Sequence, residues 1–204
     1  MRIYTGNEEL DSILERKDGF IIVYGEPGSG KTNLIAKILR ECASRGVETV
    51  YISTEGSVNV YRVVEVVGGF EDRILISSVY SLSELLLALL RSIELMRGVI
   101  AIDSINYLYR IEGGYSYRSN EVFLSILGLI RYVSRTRGIK FLASAQIREV
   151  EGVTELSGRD LIEFFKPYMI RSRKISYNLF ELYLEDEDRR FRYSLKEGDL
   201  IWIR

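Results

Sequence analysis

Residues 20–34 read FIIVYGEPGSGKTNL: a five-residue apolar run, a glycine-rich turn and the start of a helical pattern. The eight residues from Gly25 to Thr32, GEPGSGKT, fit the pattern G-x-x-x-x-G-K-[ST]. Glycines at 25, 28 and 30 let the main chain curl with its N–H groups inward, in conformations a Cβ would bar. The helix that follows aims its positive end at an anion held in the curl. Lys31 supplies a point charge for terminal phosphates. The Thr32 hydroxyl suits Mg²⁺, which keeps several waters and takes few protein ligands. Gly25, Glu26, Pro27, Gly28, Ser29, Gly30, Lys31, Thr32 and Asn33 are therefore the expected cradle of a nucleoside triphosphate.

Outward from this turn, short apolar runs alternate with helical patterns as far as about residue 145. The runs 20–24, 49–53, 74–77, 99–103 and 140–145 predict strands; 31–45, 58–67, 81–96 and 119–136 predict helices. The strands are nearly all apolar rather than alternating, as strands covered on both faces of a parallel sheet are. The β-then-α rhythm predicts an α/β fold with a mostly parallel twisted sheet flanked by helices. Beyond residue 166 the pattern changes. Stretches 169–173, 176–184, 190–195 and 200–203 are strand-like, separated by Lys174 and Ile175, by the acidic turn 185–188, and by Gly198 and Asp199. They are expected to extend the same sheet in antiparallel fashion, within one domain over 1–204 that has an opening segment at 1–18 and this extension at 166–204.

Three polar residues end predicted strands at the carboxyl edge, where ligands of such sheets bind. Asp103 closes VIAID and is a candidate Mg²⁺ ligand beside Thr32; the plainer alternative is a helix-capping or turn aspartate. Glu55, just past TVYIS, is placed to polarise water toward a γ-phosphate, or else is a solvated turn residue. Gln146 ends FLASA and is the only glutamine in the chain; it either reports the γ-phosphate to the loop behind it or simply caps the strand.

Composition narrows the rest. With 28 basic and 29 acidic residues among 204, the net charge is -1, which argues against a globally basic nucleic-acid or membrane binder. Histidine is absent, which removes His bases and His metal ligands, and the single cysteine, Cys42, excludes an intrachain disulfide. The longest apolar run, 85–90, is far short of the roughly 20 residues a spanning helix needs. The first twenty residues are polar and hold no signal-peptide core, so a cytoplasmic location is expected.

Taken together, these segments resemble the RecA-family recombinase core, in particular its archaeal branch of RadA and RadB proteins. YTGNEELDSIL resembles the opening segment of that family, YGEPGSGKTNL its phosphate loop, and VIAIDSINYLYR its second acidic motif. YISTEGSVNVYR is similar to the segment that carries the catalytic glutamate and an arginine packed on adenine, roles that fall here on Glu55 and Arg62. FLASAQ resembles the strand whose terminal glutamine, here Gln146, links nucleotide to DNA-binding loops, and ELSGRDLIEFFKPYMIRSRK resembles the return to the sheet. The resemblance implies a RecA-like phosphate-loop ATPase using ATP and Mg²⁺, with Lys31, Glu55 and Gln146 in catalysis. The chain starts directly at the core, and the loop after Gln146, IREVEGVTELSG, is short and carries three glutamates against Arg148. Both features favour a RadB-like paralog over a strand-exchange recombinase. Such a protein is implied to hydrolyse ATP weakly, to bind DNA and to assist a RadA-type recombinase. A neighbouring subunit is a possible source of a further arginine; the oligomeric state is left open.

DNA contact, single-stranded by preference, is expected in the stretch 107–118, read as a loop around Gly113 and Gly114. Tyr109, Tyr115 and Tyr117 can stack bases there, while Arg110 and Arg118, joined by Arg148, can meet phosphates. Over 107–140 six basic residues face Glu112 and Glu121. The alternative is that the tyrosines pack against helices and the arginines solvate a surface. Two other function classes stay in view: a KaiC-like regulatory ATPase acting through protein partners without DNA, and a small-molecule kinase, disfavoured by the lack of an acceptor lid.

Overall fold

The computed structural model describes residues 2–95, 98–113, 116–150, 153–196 and 198–203; of 148–150 and 153–155 it describes the backbone. The apolar runs become strands β1 (Phe20–Gly25), β2 (Thr49–Ser53), β3 (Ile74–Ser78), β4 (Val99–Asp103) and β5 (Lys140–Val150). The helical patterns become α1 (Glu8–Glu15), α2 (Lys31–Ser44), α3 (Ser57–Val67), α4 (Leu82–Leu95) and α6 (Tyr117–Thr136), with a short α5 (Tyr107–Ile111). Strands β6 (Val153–Leu156), β7 (Tyr168–Ser176), β8 (Leu179–Leu184), β9 (Arg189–Lys196) and β10 (Asp199–Ile203), and helix α7 (Arg159–Phe164), complete the described chain.

Among the described residues ten strands form one sheet in the order β10-β9-β8-β7-β1-β5-β4-β2-β3, with β6 paired to β5. Pairing is parallel from β7 through β3 and antiparallel from β7 to β10. The uniform apolarity of the central strands has its cause here, since each feeds two cores. Ile21, Val23 and Tyr51 join the first, against α1, α2 and α3; Phe20, Ile22, Val50 and Ile52 join the second, against α4, α6 and α7. No described helix is long and apolar enough to cross a membrane.

Four expectations need correction. The stretch 169–173 joins the antiparallel extension through β8, as expected, but on its other side β7 also pairs in parallel with β1, because α7 carries the chain back across the sheet before β7 begins. Lys174 and Ile175 do not separate strands; they lie inside β7, and the turn falls at Tyr177 and Asn178. The stretch 107–118 is not a plain loop: α5 occupies its first half and α6 begins at Tyr117. The stretch after Gln146 is a β-hairpin, in which Ile147 lies opposite Leu156 and Val150 opposite Val153. The signal in the sequence was a pair of short runs, IREV and VTEL, on either side of the two residues Glu151-Gly152.

Candidate nucleotide site

The cradle forms where β1 hands over to α2. Two glycines are there for separate reasons. Gly30 has φ +89° at the N-terminus of α2, and a Cβ on it would stand 2.3 Å from the Tyr193 hydroxyl. Gly25 lies against β7, and a Cβ there would be 2.1 Å from the Ser172 carbonyl oxygen and 2.8 Å from Ser29 Oγ. The loop is further tied to β7 by Ser172 Oγ, which donates to the Ser29 carbonyl at 2.7 Å.

Lys31 is buried, and its Nζ donates to the carbonyls of Gly25 (2.9 Å) and Glu26 (2.7 Å) and to Ser29 Oγ (3.3 Å). Burial depresses its pKa to about 8, against the pull of Asp103, Glu55 and Glu26. The ammonium is thus held by weak dipoles in a place where an anion would be the stronger partner. This is the fit expected of a phosphate site.

Asp103, at the end of β4, is buried and accepts three hydroxyl hydrogen bonds. Thr32 Oγ1 reaches Oδ2 at 2.8 Å, Tyr51 reaches the same oxygen at 2.9 Å, and Ser144 Oγ bonds Oδ1. Burial, then the charge and hydrogen bond of Asp103, raise the Tyr51 pKa, so this hydroxyl keeps its proton and donates it to the carboxylate. Thr32 and Asp103 together present two hard oxygens beside the loop, a donor set suited to a Mg²⁺ completed by waters and phosphates. Among the described residues no group of three or more acidic, Cys or His side chains could hold a metal by itself.

Glu55 follows β2 and Gln146 lies on β5, two strands away. Gln146 Nε2 donates to both Glu55 oxygens, at 2.8 and 2.9 Å, and Ser104 Oγ donates to Oε1 at 2.6 Å. Burial raises the Glu55 pKa, Ser104 lowers it, and Asp103 raises it again. Lys31 and Arg110 act weakly downward. The Asp103–Ser104 peptide is cis. Behind Gln146, Asn106 grips its main chain: Nδ2 donates to the Gln146 carbonyl at 3.0 Å, and the Gln146 N–H donates to Oδ1 at 3.1 Å.

Pro27, Gly28, Gly30, Lys31, Thr32, Asn33, Glu55, Arg62, Asp103 and Gln146 line one cleft of about 610 Å³. Gly25, Glu26 and Ser29 meet it through the Lys31 contacts. Sequence reasoning did not find Asn59, one helical turn before Arg62, nor Lys174, Tyr177 and Asn178, which wall the cleft from the β7–β8 turn. It also missed Tyr51, Ser144, Ser104 and Asn106, which position the acids. Strand alternation could have put Tyr51 and Asp103 on one face, but nothing local marks Asn106.

The residues expected at DNA do not come together as a single patch. Tyr109 is a core residue: it is buried, stacked on Phe123 with centroids 4.4 Å apart, and bonded through its hydroxyl to Asn120 at 2.6 Å. Helix α5 turns it inward, so it cannot stack a base. Arg110 is half-buried and lies over the Tyr107 ring at 5.4 Å. Tyr117 and Arg118 are exposed on the first turn of α6. Tyr115 and the side chain of Arg148 lie outside the described residues.

The sequence is similar to those of known proteins. A model of the AAA domain family matches residues 14–151. The DNA repair and recombination protein RadB of Methanococcus maripaludis is 31% identical over 197 residues, 90% of this chain and 85% of that protein. The RadB protein of Methanocaldococcus jannaschii is 24% identical over 209 residues, 96% of this chain and 95% of that one. With the RadB protein of Methanosphaera stadtmanae the identity is 29% over 153 residues, 69% of this chain and 66% of the relative, just under two thirds of its length.

Proposed function

We propose that this chain, which belongs to the RadB family of DNA repair and recombination proteins, is a slow ATPase that assists a RadA-type recombinase and contacts single-stranded DNA, working as one ATPase core over 1–204. The observation that carries the reading is a continuous set of bonds from the phosphate cradle to the β5–β6 hairpin. Thr32 reaches Asp103, the cis-linked Ser104 reaches Glu55, Glu55 is held by Gln146, and Gln146 is gripped by Asn106. A change at the γ-phosphate position therefore has a mechanical route to the hairpin, a packed and hydrogen-bonded chain rather than mere proximity.

In this reading the inward N–H groups of Gly28 to Thr32, the α2 terminus and Lys31 bind the triphosphate of ATP. Bound Mg²⁺, held by Thr32 and Asp103, would neutralise charge on the phosphate oxygens. Arg62 and Asn59 on α3 face the base and ribose. Glu55 accepts a proton from, and orients, the attacking water. Three of its roughly four acceptor positions are already taken by Gln146 and Ser104, which is consistent with slow turnover in the absence of DNA. Binding of DNA or recombinase at the hairpin would draw on Gln146 and release Glu55.

The test is calorimetry with ATP and Mg²⁺, followed by turnover with and without oligodeoxythymidylate, for the unmodified chain and for Glu55→Gln. The reading expects ATP uptake in both, DNA-responsive turnover in the first and none in the second. ATP hydrolysis indifferent to DNA, with no retention on DNA cellulose, favours instead a regulatory ATPase acting through protein partners.

A further inference from the structure

The antiparallel end of the sheet has one covered face and one open face. Ile170, Phe180, Leu182, Phe191 and Tyr193 point into the core shared with α1 and α2. Alternate residues point the other way. Among them are Arg171 and Arg173 of β7, Glu181 and Tyr183 of β8, and Arg190, Arg192, Ser194 and Lys196 of β9, while Met169 at the start of β7 is covered by the second core. The register arranges them in rows: Arg171 opposite Tyr183 opposite Arg190, and Arg173 opposite Glu181 opposite Arg192.

Glu181 is the organiser. It has no exposed surface, yet the arginines around it are about half exposed (50% for Arg173, 53% for Arg190, 56% for Arg192). Arg173 donates to Oε1 through Nε (2.9 Å) and Nη2 (2.6 Å), and Arg192 Nε donates to Oε2 at 2.9 Å. Arg190 stands off at 3.9 Å, with its guanidinium 5.0 Å from the centre of the Tyr183 ring. Burial works to raise the Glu181 pKa, but the bonds from Arg192 and Arg173 more than offset it and hold it below the usual range. One carboxylate cannot use up the five donors that each guanidinium carries. It instead fixes their positions, which removes part of the entropy loss on binding a further anion.

The strand residues on this face sum to five cations (Arg171, Arg173, Arg190, Arg192, Lys196) less one carboxylate, or +4, on a chain whose total is -1, while at the β7 edge Arg171 shares a cleft with Glu185 and with the Arg159–Glu163 pair. Asp199 at the margin is turned away to Lys37 and Arg40 of α2. The acidic turn bounds one end, with Glu185 bonded to Tyr24, Glu187 to Tyr168 and Lys17, and Asp188 to Tyr183. Glu8 and Glu9 bound the side where they share a cleft with Arg190 and Arg192. From Arg190 to Lys196 the stripe runs six residues along β9, about 20 Å at strand rise. That length suits an extended polyanion rather than one phosphate group.

We propose that the open face of β7, β8 and β9 binds the phosphate backbone of single-stranded nucleic acid, with Tyr183 a platform for a base between Arg171 and Arg190. The proposal rests on the DNA contact inferred above and moves its main surface away from α5 and α6. The test is fluorescence anisotropy of labelled oligodeoxythymidylate with the full chain across a salt series. The variant is Arg171→Ser with Arg190→Ser, neither of which hydrogen-bonds Glu181, so the buried ion pair persists; Lys196→Ser is the second variant, remote from Glu181. Two lost phosphate contacts should flatten the plot of log affinity against log salt by about 1.4 and weaken binding tenfold or more near 0.1 M salt; Lys196→Ser should flatten it by about 0.7. If the unmodified chain binds and neither variant changes the slope, this proposal is overturned and the DNA reading stands. If the unmodified chain does not bind, both fall. If DNA binding is intact but ATP turnover becomes weaker and dependent on protein concentration, the face serves the triphosphate of a second copy, and the nucleic-acid assignment is overturned.

Discussion

Replacing Tyr51 by Phe removes one oxygen atom from beside Asp103, at the heart of the proposed metal site, and nothing else. The ring is wholly buried on β2, and its hydroxyl donates to Asp103 Oδ2 at 2.9 Å. The Phe variant leaves no orphaned donor, and Oδ2 keeps its bond from Thr32 at 2.8 Å. A hydrogen bond to a charged group contributes about 1.5–3 kcal/mol, and the surviving Thr32 bond argues for the lower end, about 1.5–2 kcal/mol. For a chain of this size each kcal/mol moves the midpoint by about 2–4 °C, so the variant should melt about 3–8 °C lower. The functional effect is separate. With Thr32 drawn to the metal, Tyr51 and Ser144 are the donors left to orient the carboxylate. Loss of such an outer partner typically weakens metal affinity on the order of 10–100-fold. The assay is a melting curve without ligand, then ATP binding at a series of Mg²⁺ concentrations. A midpoint within about 1 °C of the unmodified chain, far inside the expected shift, together with an unchanged Mg²⁺ dependence, would falsify the claim that Tyr51 positions Asp103.

Further expectations concern the neighbouring groups. Glu55→Gln should lower turnover at least about 100-fold while ATP still binds. Because burial raises the Glu55 pKa in the folded state, its share of stability is present at low pH and lost as pH rises through that value; the variant should therefore melt higher than the unmodified chain at neutral pH, and the difference should vanish below the ordinary glutamate range. Lys31, depressed to about 8, gives the opposite slope: stability should rise as pH climbs from about 8 toward the usual lysine range. ATP binding at pH 8 and above should then take up protons, seen as a heat that depends on buffer ionisation; equal heats in two buffers would count against a phosphate-bound Lys31. Gly25→Ala puts a methyl 2.1 Å from a β7 carbonyl, so β1 and β7 must part. Loss of nucleotide binding and a clearly lowered melting midpoint are expected, and retention of both would show that the loop has slack the structure does not reveal.

How far the molecule could be read from its residues differs between the fold and the site. The apolar strands 20–24, 49–53 and 99–103 were legible because burial on both faces confines polar residues to the strand ends, and that pattern needs no tertiary knowledge. Lys31, Thr32, Asp103, Glu55 and Gln146 were legible because each ends or follows such a strand, and the carboxyl edge of a parallel sheet is one place in space. Tyr109 was misread since exposure of an aromatic depends on which way a five-residue helix turns, and α5 turns it onto Phe123. The parallel pairing of strand 169–173 with β1 was missed because α7 is only six residues long and weakly patterned.

The amino-acid order alone determined a phosphate cradle at the end of a buried strand, since glycine freedom, helix polarity and apolar runs are all local properties. Only the tertiary structure decided that Tyr51 and Ser144 share Asp103, that Asn106 grips Gln146, and that Glu181 gathers arginines from two flanking strands. Those pairings join residues 40 or more positions apart in the first cases, and cross-strand partners in the last. Such contacts follow from strand order and register, which no single segment carries, because side-chain direction along a strand is set by the pleat but its partner is set by the neighbour the chain happens to bring alongside.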